Sequence, residues 1–447
     1  MSSEIIVSAI SGPSGGPVSF PNGINFGAGV VSSINNIGVP GAQGFGVGIC
    51  PNLPAGYAAL SGTTDPASSN YGNYQYSDGS IMVWIPAFFY KIGTGSNGLA
   101  VNQVSVQPFG TYKDVPTANA AGYALHRAFY DAGAIQEGFF VDKYLCSNNG
   151  GTASSIVNGL PLSSASTHNP FSGLTGAPAN AYYGAIQAAQ TRGSKFFCSS
   201  IFINKALALL ALAHAQAATA NTWCAWYDAT GVTNFPKGCN NNALGDANDS
   251  SITYVWDGYA GNNSAKTGSA SLSDRTTHNG QWCGVADLNG CMWEINPGLA
   301  VDSTGANFYI LNTAATMHLM TGGNTASTDF WGSSGLAAWS TSLGATYGAL
   351  TASSTGKTIG SATQVLSEAT SGLAWEATGA GIPLVGGVGG SNAFGLDVLW
   401  DYRPADMCPL SGGMWASGSG AGVWALNLGT PRAGSDGSGG FRAASYL

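Results

Sequence analysis

The scarcity of charge constrains this chain more than any other feature. Only 14 Lys and Arg and 22 Asp and Glu occur in 447 residues, so 8% of the sequence is charged, against about 25% in an ordinary soluble domain. Hydrophobic residues reach 44% and aromatic residues 11%, enough to bury a core, which argues against disorder despite 66 glycines. The net charge of −8 leaves no concentration of cations. Each phosphate a protein neutralises needs a Lys or Arg, so nucleic acid is excluded as a partner. A surface so poor in charge is expected either to meet other protein, as in a tight oligomer, or to be solvated by Ser, Thr and Asn.

The start, Met1-Ser2-Ser3-Glu4, has no basic stretch before an apolar one, and no secretory signal is read there. The most apolar run, Lys205 to His214, is too short to cross a bilayer. It belongs to a helix expected from Ser200 to Thr219, with Ser199 or Ser200 as its cap and apolar residues nearly all round, hence buried. A second helix is expected over Ala179 to Thr191, ending at Gly193. Strands are expected at Glu4 to Val7, Val30-Val31, Ile81 to Pro86 paired with Phe88 to Ile92, and Phe139 to Tyr144. Beyond about residue 220 the sequence reads as loop and short strand without helical periodicity. Helices and strands do not alternate, so the fold class is α+β. The expected division is a β-rich N-terminal attachment or oligomerisation region over 1–50, a Tyr-, Pro- and Gly-rich connector over 51–79, and one domain over 80–447.

Most patterns that could carry chemistry do not. His126, His168, His214, His278 and His318 lack metal-ligand spacing. Asp246, Asn248 and Asp249 place oxygens at alternate positions as a calcium loop does, but lack its Gly and distal Glu; an Asx-rich turn is the plainer reading. Gly386 to Gly390 precedes no helix that could face a phosphate. No GxSxG elbow occurs. The eight cysteines form no CxxC pair and read as buried free thiols, with a Cys283–Cys291 pairing left open.

Five segments are informative in combination: Ile85-Pro86; Phe140, Asp142 and Tyr144; Asp287, Gly290, Trp293 and Glu294; Gly412, Gly413 and Trp415; and Gly440, Phe441 and Arg442. In this order they resemble the formylglycine-generating-enzyme type of C-type lectin fold, over about residues 80–447. Asp287, Gly290, Trp293, Glu294, Trp415, Phe441 and Arg442 would be structural landmarks, since the charges among them are kept in such a chain only if paired. The resemblance to the enzymes breaks where they carry a cysteine pair: residues 413–447 contain no cysteine, and Cys408 lies just outside. Without thiolates the oxidative chemistry and its copper do not carry over.

The pattern is instead similar to a second group on this fold, retroelement-diversified variable proteins and phage tail-fibre tip proteins. In these the lectin-type domain ends near the chain terminus, and here Leu447 follows Arg442 by five residues. The resemblance implies a non-enzymatic, cofactor-free virion protein, a homotrimer attached to other tail proteins, that binds a host cell-surface receptor of protein or glycan. Its contact face would be about 411–438, through Ala416, Ser417, Ser419, Val423, Trp424, Ala425, Asn427, Arg432, Ser435 and Asp436, with Trp424 and Asn427 at the energetic centre. Small polar residues around an aromatic anchor suit an adaptable paratope. The alternatives are a structural virion protein without a receptor, or an enzyme of the formylglycine-generating type.

Overall fold

The computed structural model describes residues 35–229, 239, 243–259, 263–302, 304–305, 307–320, 340–343, 353–360, 363–384 and 394–447. The strands expected at Glu4 to Val7 and Val30-Val31, and the Gly386 to Gly390 loop, lie outside them.

Local chemistry accounts for the helices. Helix α1 (Val115–Ala120) starts where Asp114 accepts from the Thr117 N–H at 2.8 Å, with Pro116 in its first turn. Helix α2 (Tyr182–Gln190) falls inside the expected Ala179 to Thr191. Helix α3 (Ile201–Ala217) is capped by Ser200, whose hydroxyl accepts from the Ile203 N–H at 3.2 Å, and Ile201 to His214 are all buried, as an all-round apolar helix must be. Helix α4 (Gly372–Gly379) contradicts the expectation of no helix beyond residue 220. Eight residues are too few to show a period. Tertiary contacts hold it: Trp375 Nε1 donates to the Leu125 carbonyl at 2.9 Å, and Glu376 meets Arg127 at 3.1 Å. The class is α+β, with four helices rather than two among the described residues. None of them is long and apolar enough to cross a membrane.

Two six-stranded sheets organise the molecule. The first is antiparallel throughout, in the order Tyr57–Ala59, Asn73–Tyr76, Ile81–Pro86, Gly138–Asp142, Ala443–Ser445 and Phe197–Cys198. The expected pairing of Ile81–Pro86 with Phe88–Ile92 does not form. The chain changes sheet at Ala87, and Phe88–Ile92 pairs instead with Val104–Pro108 and Ala124–Leu125. Residues read as a connector supply two strands of the first sheet, and Tyr57 stacks on Phe140 with ring centroids 4.3 Å apart. The described part of the N-terminal stretch contains no strand, and its Ile37, Phe45 and Val47 are buried in the same core as Trp84. The second sheet runs Ser353–Thr358, Val398–Asp401, Leu426–Pro431, Met407–Ser411, Trp293–Ile295 and Gly439–Gly440.

The five sequence landmarks converge on these sheets. Trp293 and Glu294 pair in parallel with Gly439 and Gly440, and Glu294 and Ile295 pair on their other edge with Ser411 and Leu410. Three residues further on, the chain enters the first sheet beside the Gly138–Asp142 strand. Gly290 holds φ +90°, and a Cβ there would stand 2.7 Å from the Gly412 carbonyl oxygen, so this landmark must be glycine.

Charge is scarce outside partly because it has been placed inside. Among the described residues Arg127, Lys143, Arg192, Lys205, Arg403, Arg432 and Arg442 are buried, half of the cations in the sequence. Arg442 Nε meets Glu294 Oε1 at 2.9 Å, and its other nitrogens donate to the carbonyls of Asp142, Lys143 and Ala286. Arg192 grips both oxygens of Asp142, at 2.6 and 3.0 Å, and Asp142 Oδ2 also accepts from the Ala443 N–H at 2.8 Å.

Two predictions follow from this interior. Arg442→Met should cost about 3–5 kcal/mol in urea unfolding, because it strands the buried Glu294 carboxylate. Lys205 behaves oppositely: its ammonium has no hydrogen-bond partner among the described residues, and burial lowers it to about 7 despite Asp397 and Glu294. The unfolded chain then binds more protons than the folded one between about pH 7 and the ordinary lysine value of about 10.4, so stability rises with pH across that window. Lys205→Met should therefore stabilise at pH 7, with a gain that shrinks towards pH 10 in the same unfolding assay.

Candidate recognition cleft

The second sheet, α2 and the last loop of the chain enclose a cleft of about 290 Å³. The sheet supplies Trp293, Ile295, Cys408 and Leu410, and with Met414 they make one side apolar. Trp293 is fixed by the edge of Trp400, ring centroids 5.4 Å apart. Tyr182, at the first turn of α2, contributes a buried ring; its N–H donates to the Arg432 carbonyl at 3.1 Å and so ties the helix to the final segment. Asn427 and Thr430, the cross-strand partners of Leu410 and Cys408 on the same sheet, and Ser435, Asp436 and Ser438 of the last loop add polar groups.

The rim is a loop held by short bonds. Ser435 Oγ donates to the Ser164 carbonyl at 2.6 Å, Ser164 Oγ donates to the Asp436 carbonyl at 3.0 Å, and the Asp436 N–H reaches Ser164 Oγ at 3.0 Å. Asp436 Oδ1 accepts from the Ser438 N–H at 2.7 Å and its hydroxyl at 2.6 Å. At the other end Asn427 Oδ1 accepts from the Gly429 N–H at 2.7 Å. These are turns made by Asx and Ser side chains in place of backbone partners.

The structure divides the ten residues read from the sequence as a contact face. Asn427, Ser435 and Asp436 line the cleft. Ala416, Ser417 and Ser419 sit on the turn that follows Met414: Ala416 and Ser419 are exposed, and Ser417 Oγ accepts from the Met414 N–H at 3.1 Å. Val423, Trp424, Ala425 and Arg432 are buried, which corrects the placement of Trp424 at the centre of a contact surface. The Trp424 backbone N–H donates to Asp397 Oδ2 at 2.8 Å and its ring meets the edge of Phe394 at 5.0 Å. Strand geometry explains the division: along Leu426–Pro431, Leu426 and Leu428 face the core, so Asn427 faces the other way. Sequence reading missed Ser164, Tyr182, Ile295 and Leu410 as lining residues and took Trp293 for framework alone. No local signal marks Ser164 or Tyr182, which reach the cleft only through tertiary packing.

The cleft holds no activated nucleophile among these residues. Burial pushes the Cys408 thiol well up, and Cys198, whose electrostatic field it shares, is pushed up too. All eight cysteines are free and buried. Cys291 contacts Cys239 rather than Cys283, and that contact and burial push it up. Asp246 makes the expected Asx turn, Oδ1 accepting from the N–H groups of Asn248 at 2.8 Å and Asp249 at 3.1 Å, while Asp249 is paired with Arg275. No group of three or more potential metal ligands assembles among the described residues.

No protein-family model matches this chain, and no curated protein does. The structure is similar to solved variants of the Major Tropism Determinant. The U1 variant is 15% identical over 89% of this chain and 74% of its own, with a TM-score of 0.31. The I1 variant is 14% identical over the same shares, at 0.29. The M1 variant is 14% identical over 97% of this chain and 89% of its own, at 0.33.

The burial pattern makes a direct prediction. Trp424→Ala should cost about 3–5 kcal/mol of folding stability as a core truncation, whereas Ser419→Ala should stay within about 0.5 kcal/mol. Chemical denaturation of both variants checks it.

Proposed function

We propose that this chain is a phage tail-fibre or tail-tip protein that recognises a host cell-surface receptor through its C-terminal segment. The observation that carries the reading is the cleft itself. Its frame is buried and charge-paired, while the side chains it offers, Asn427, Thr430, Ser435 and Asp436, are small and polar and belong to the last segment of the chain. A stiff frame under short adaptable side chains loses little entropy on binding and can accept sequence change without refolding. The convergence of the five landmarks on two adjoining sheets supports a C-type-lectin-like domain of the formylglycine-generating-enzyme type.

The work of the site is non-covalent. Among the described residues Asp436 is the sole ionisable carboxylate lining the cleft and no Lys or Arg lines it, so an anionic ligand is disfavoured; a neutral or cationic group of a protein or glycan suits it. The turn carrying Ala416, Ser417 and Ser419 would add peripheral contacts. Recognition is proposed to occur on a homotrimer in the virion, where several weak contacts act together, with the N-terminal part attaching the chain to other tail proteins.

The test is competition. Excess purified chain should block adsorption of its parent particle to susceptible cells. Asn427→Trp and Ser435→Trp, which fill the cleft from its rim, should weaken that competition at least tenfold, about 1.4 kcal/mol, while still unfolding cooperatively at a temperature lowered by the lost bonds to Gly429 and Ser164. Full competition by both folded variants would remove the cleft from recognition.

A further inference from the structure

The hydroxyl protons of the rim loop are already committed. Ser435 Oγ donates to the Ser164 carbonyl, Ser164 Oγ to the Asp436 carbonyl, and Ser438 Oγ to Asp436 Oδ1. A carbonyl and an ionised carboxylate only accept, and a hydroxyl has a single proton to give. What these side chains still offer a ligand is lone pairs: those left on the serine oxygens, and Asp436 Oδ2, since the bonds from Ser438 all go to Oδ1. Of the polar side chains that the C-terminal segment brings to the cleft, only Asn427 and Thr430 keep a proton to donate, and both stand on the Leu426–Pro431 strand rather than on the loop.

The remaining wall is largely hydrocarbon, from Trp293, Ile295, Leu410 and Met414. A volume of about 290 Å³ lies at the lower end of small-ligand sites, about 300–1,000 Å³. It fits one side chain or one ring, not an extended oligosaccharide. The occupant must therefore bring donors without acceptors, a positive charge for Asp436, and an apolar stem for the wall. Lysine and arginine side chains meet all three requirements: their heads only donate, and their methylenes pack on apolar surface while the charged end stays at the polar edge. A sugar hydroxyl brings an acceptor with every donor. An amino sugar has the ammonium but lacks the stem.

We propose that the cleft takes a lysine or arginine side chain of a protein receptor, with its cationic head on Asp436 Oδ2 and the serine oxygens and its methylenes against Trp293, Ile295, Leu410 and Met414. That the occupant belongs to a receptor rests on the recognition reading; the choice of a basic side chain rests on the donors and acceptors of the cleft.

Saturation-transfer NMR on the full chain tests it with four probes: the Nα-acetyl N-methylamides of lysine, arginine and norleucine, and methyl glucosaminide. Transfer should reach the side-chain methylenes of both basic probes, which should bind roughly fivefold tighter than the norleucine compound, the scale of one exposed ion pair. Asp436→Asn keeps an acceptor for Ser438 and should abolish that difference. Asn427→Trp and Ser435→Trp, which fill the cleft, should remove the transfer. Equal binding of norleucine, preference for the glucosaminide, no transfer to a basic probe across the millimolar range, or basic-probe binding untouched by all three variants overturns the proposal. None of these measurements involves a receptor. Failure here, with competition still lost on cleft filling, would overturn the basic ligand and leave the recognition reading in place. Basic-probe binding as expected, with competition that survives cleft filling, would end the recognition reading alone.

Discussion

Arginine–carboxylate pairs buried where the two sheets meet hold this molecule together. Most of its chain is short strand and loop, with few long elements to define a core, so something directional must fix how distant segments meet. Arg442 does this by reaching Glu294 and three backbone carbonyls from Asp142, Lys143 and Ala286. Asp142, gripped by Arg192, returns the favour by accepting the Ala443 N–H. Burying such ions is costly, and a pair is tolerated when every remaining donor is satisfied. Burial pushes the Glu294 carboxyl up and Arg442 pulls it back, so neither group suits its place without the other.

This arrangement explains how a chain with so few charges can still be specific in its fold. Half of its cations are inside, which leaves a surface of Ser, Thr, Asn and Gly and little electrostatic steering. Recognition on such a surface depends on shape and short polar contacts, and these need a frame that does not yield. The cleft has that frame: Trp293 locked by Trp400, α2 tied to the last segment through Tyr182, and the rim loop bonded to Ser164. His168 adds a fastening from outside that segment, its ring nitrogens 2.9 Å from the Gly437 carbonyl oxygen and 2.7 Å from Asp257 Oδ2.

Much of the fold could be read in advance. The Ala- and Leu-rich run behind Ser200 specified a buried helix, and the five spaced landmarks were read as framework, as Trp293, Glu294, Phe441 and Arg442 are by their burial. The small polar make-up of the last segment pointed to Asn427, Ser435 and Asp436. The reading failed where a residue type was taken as evidence of exposure. Trp424 stands among small residues in the sequence, but the strand entering at Leu426 turns it under Phe394 and Asp397. Helix α4 was invisible because its stability lies in Glu376 and Trp375 contacts with residues some 250 positions away.

Taken alone, the sequence determined the α+β class, the buried helix and the need to pair the few charges. Those follow from composition, local periodicity and the solvation of ions, which act wherever the chain goes. Which side chains face the cleft, that Ser164 and Tyr182 join them, and that His168 finds both a carbonyl and a carboxylate were decided only by tertiary structure. Each depends on strand register and on contacts between segments far apart in the chain, and no local preference encodes either.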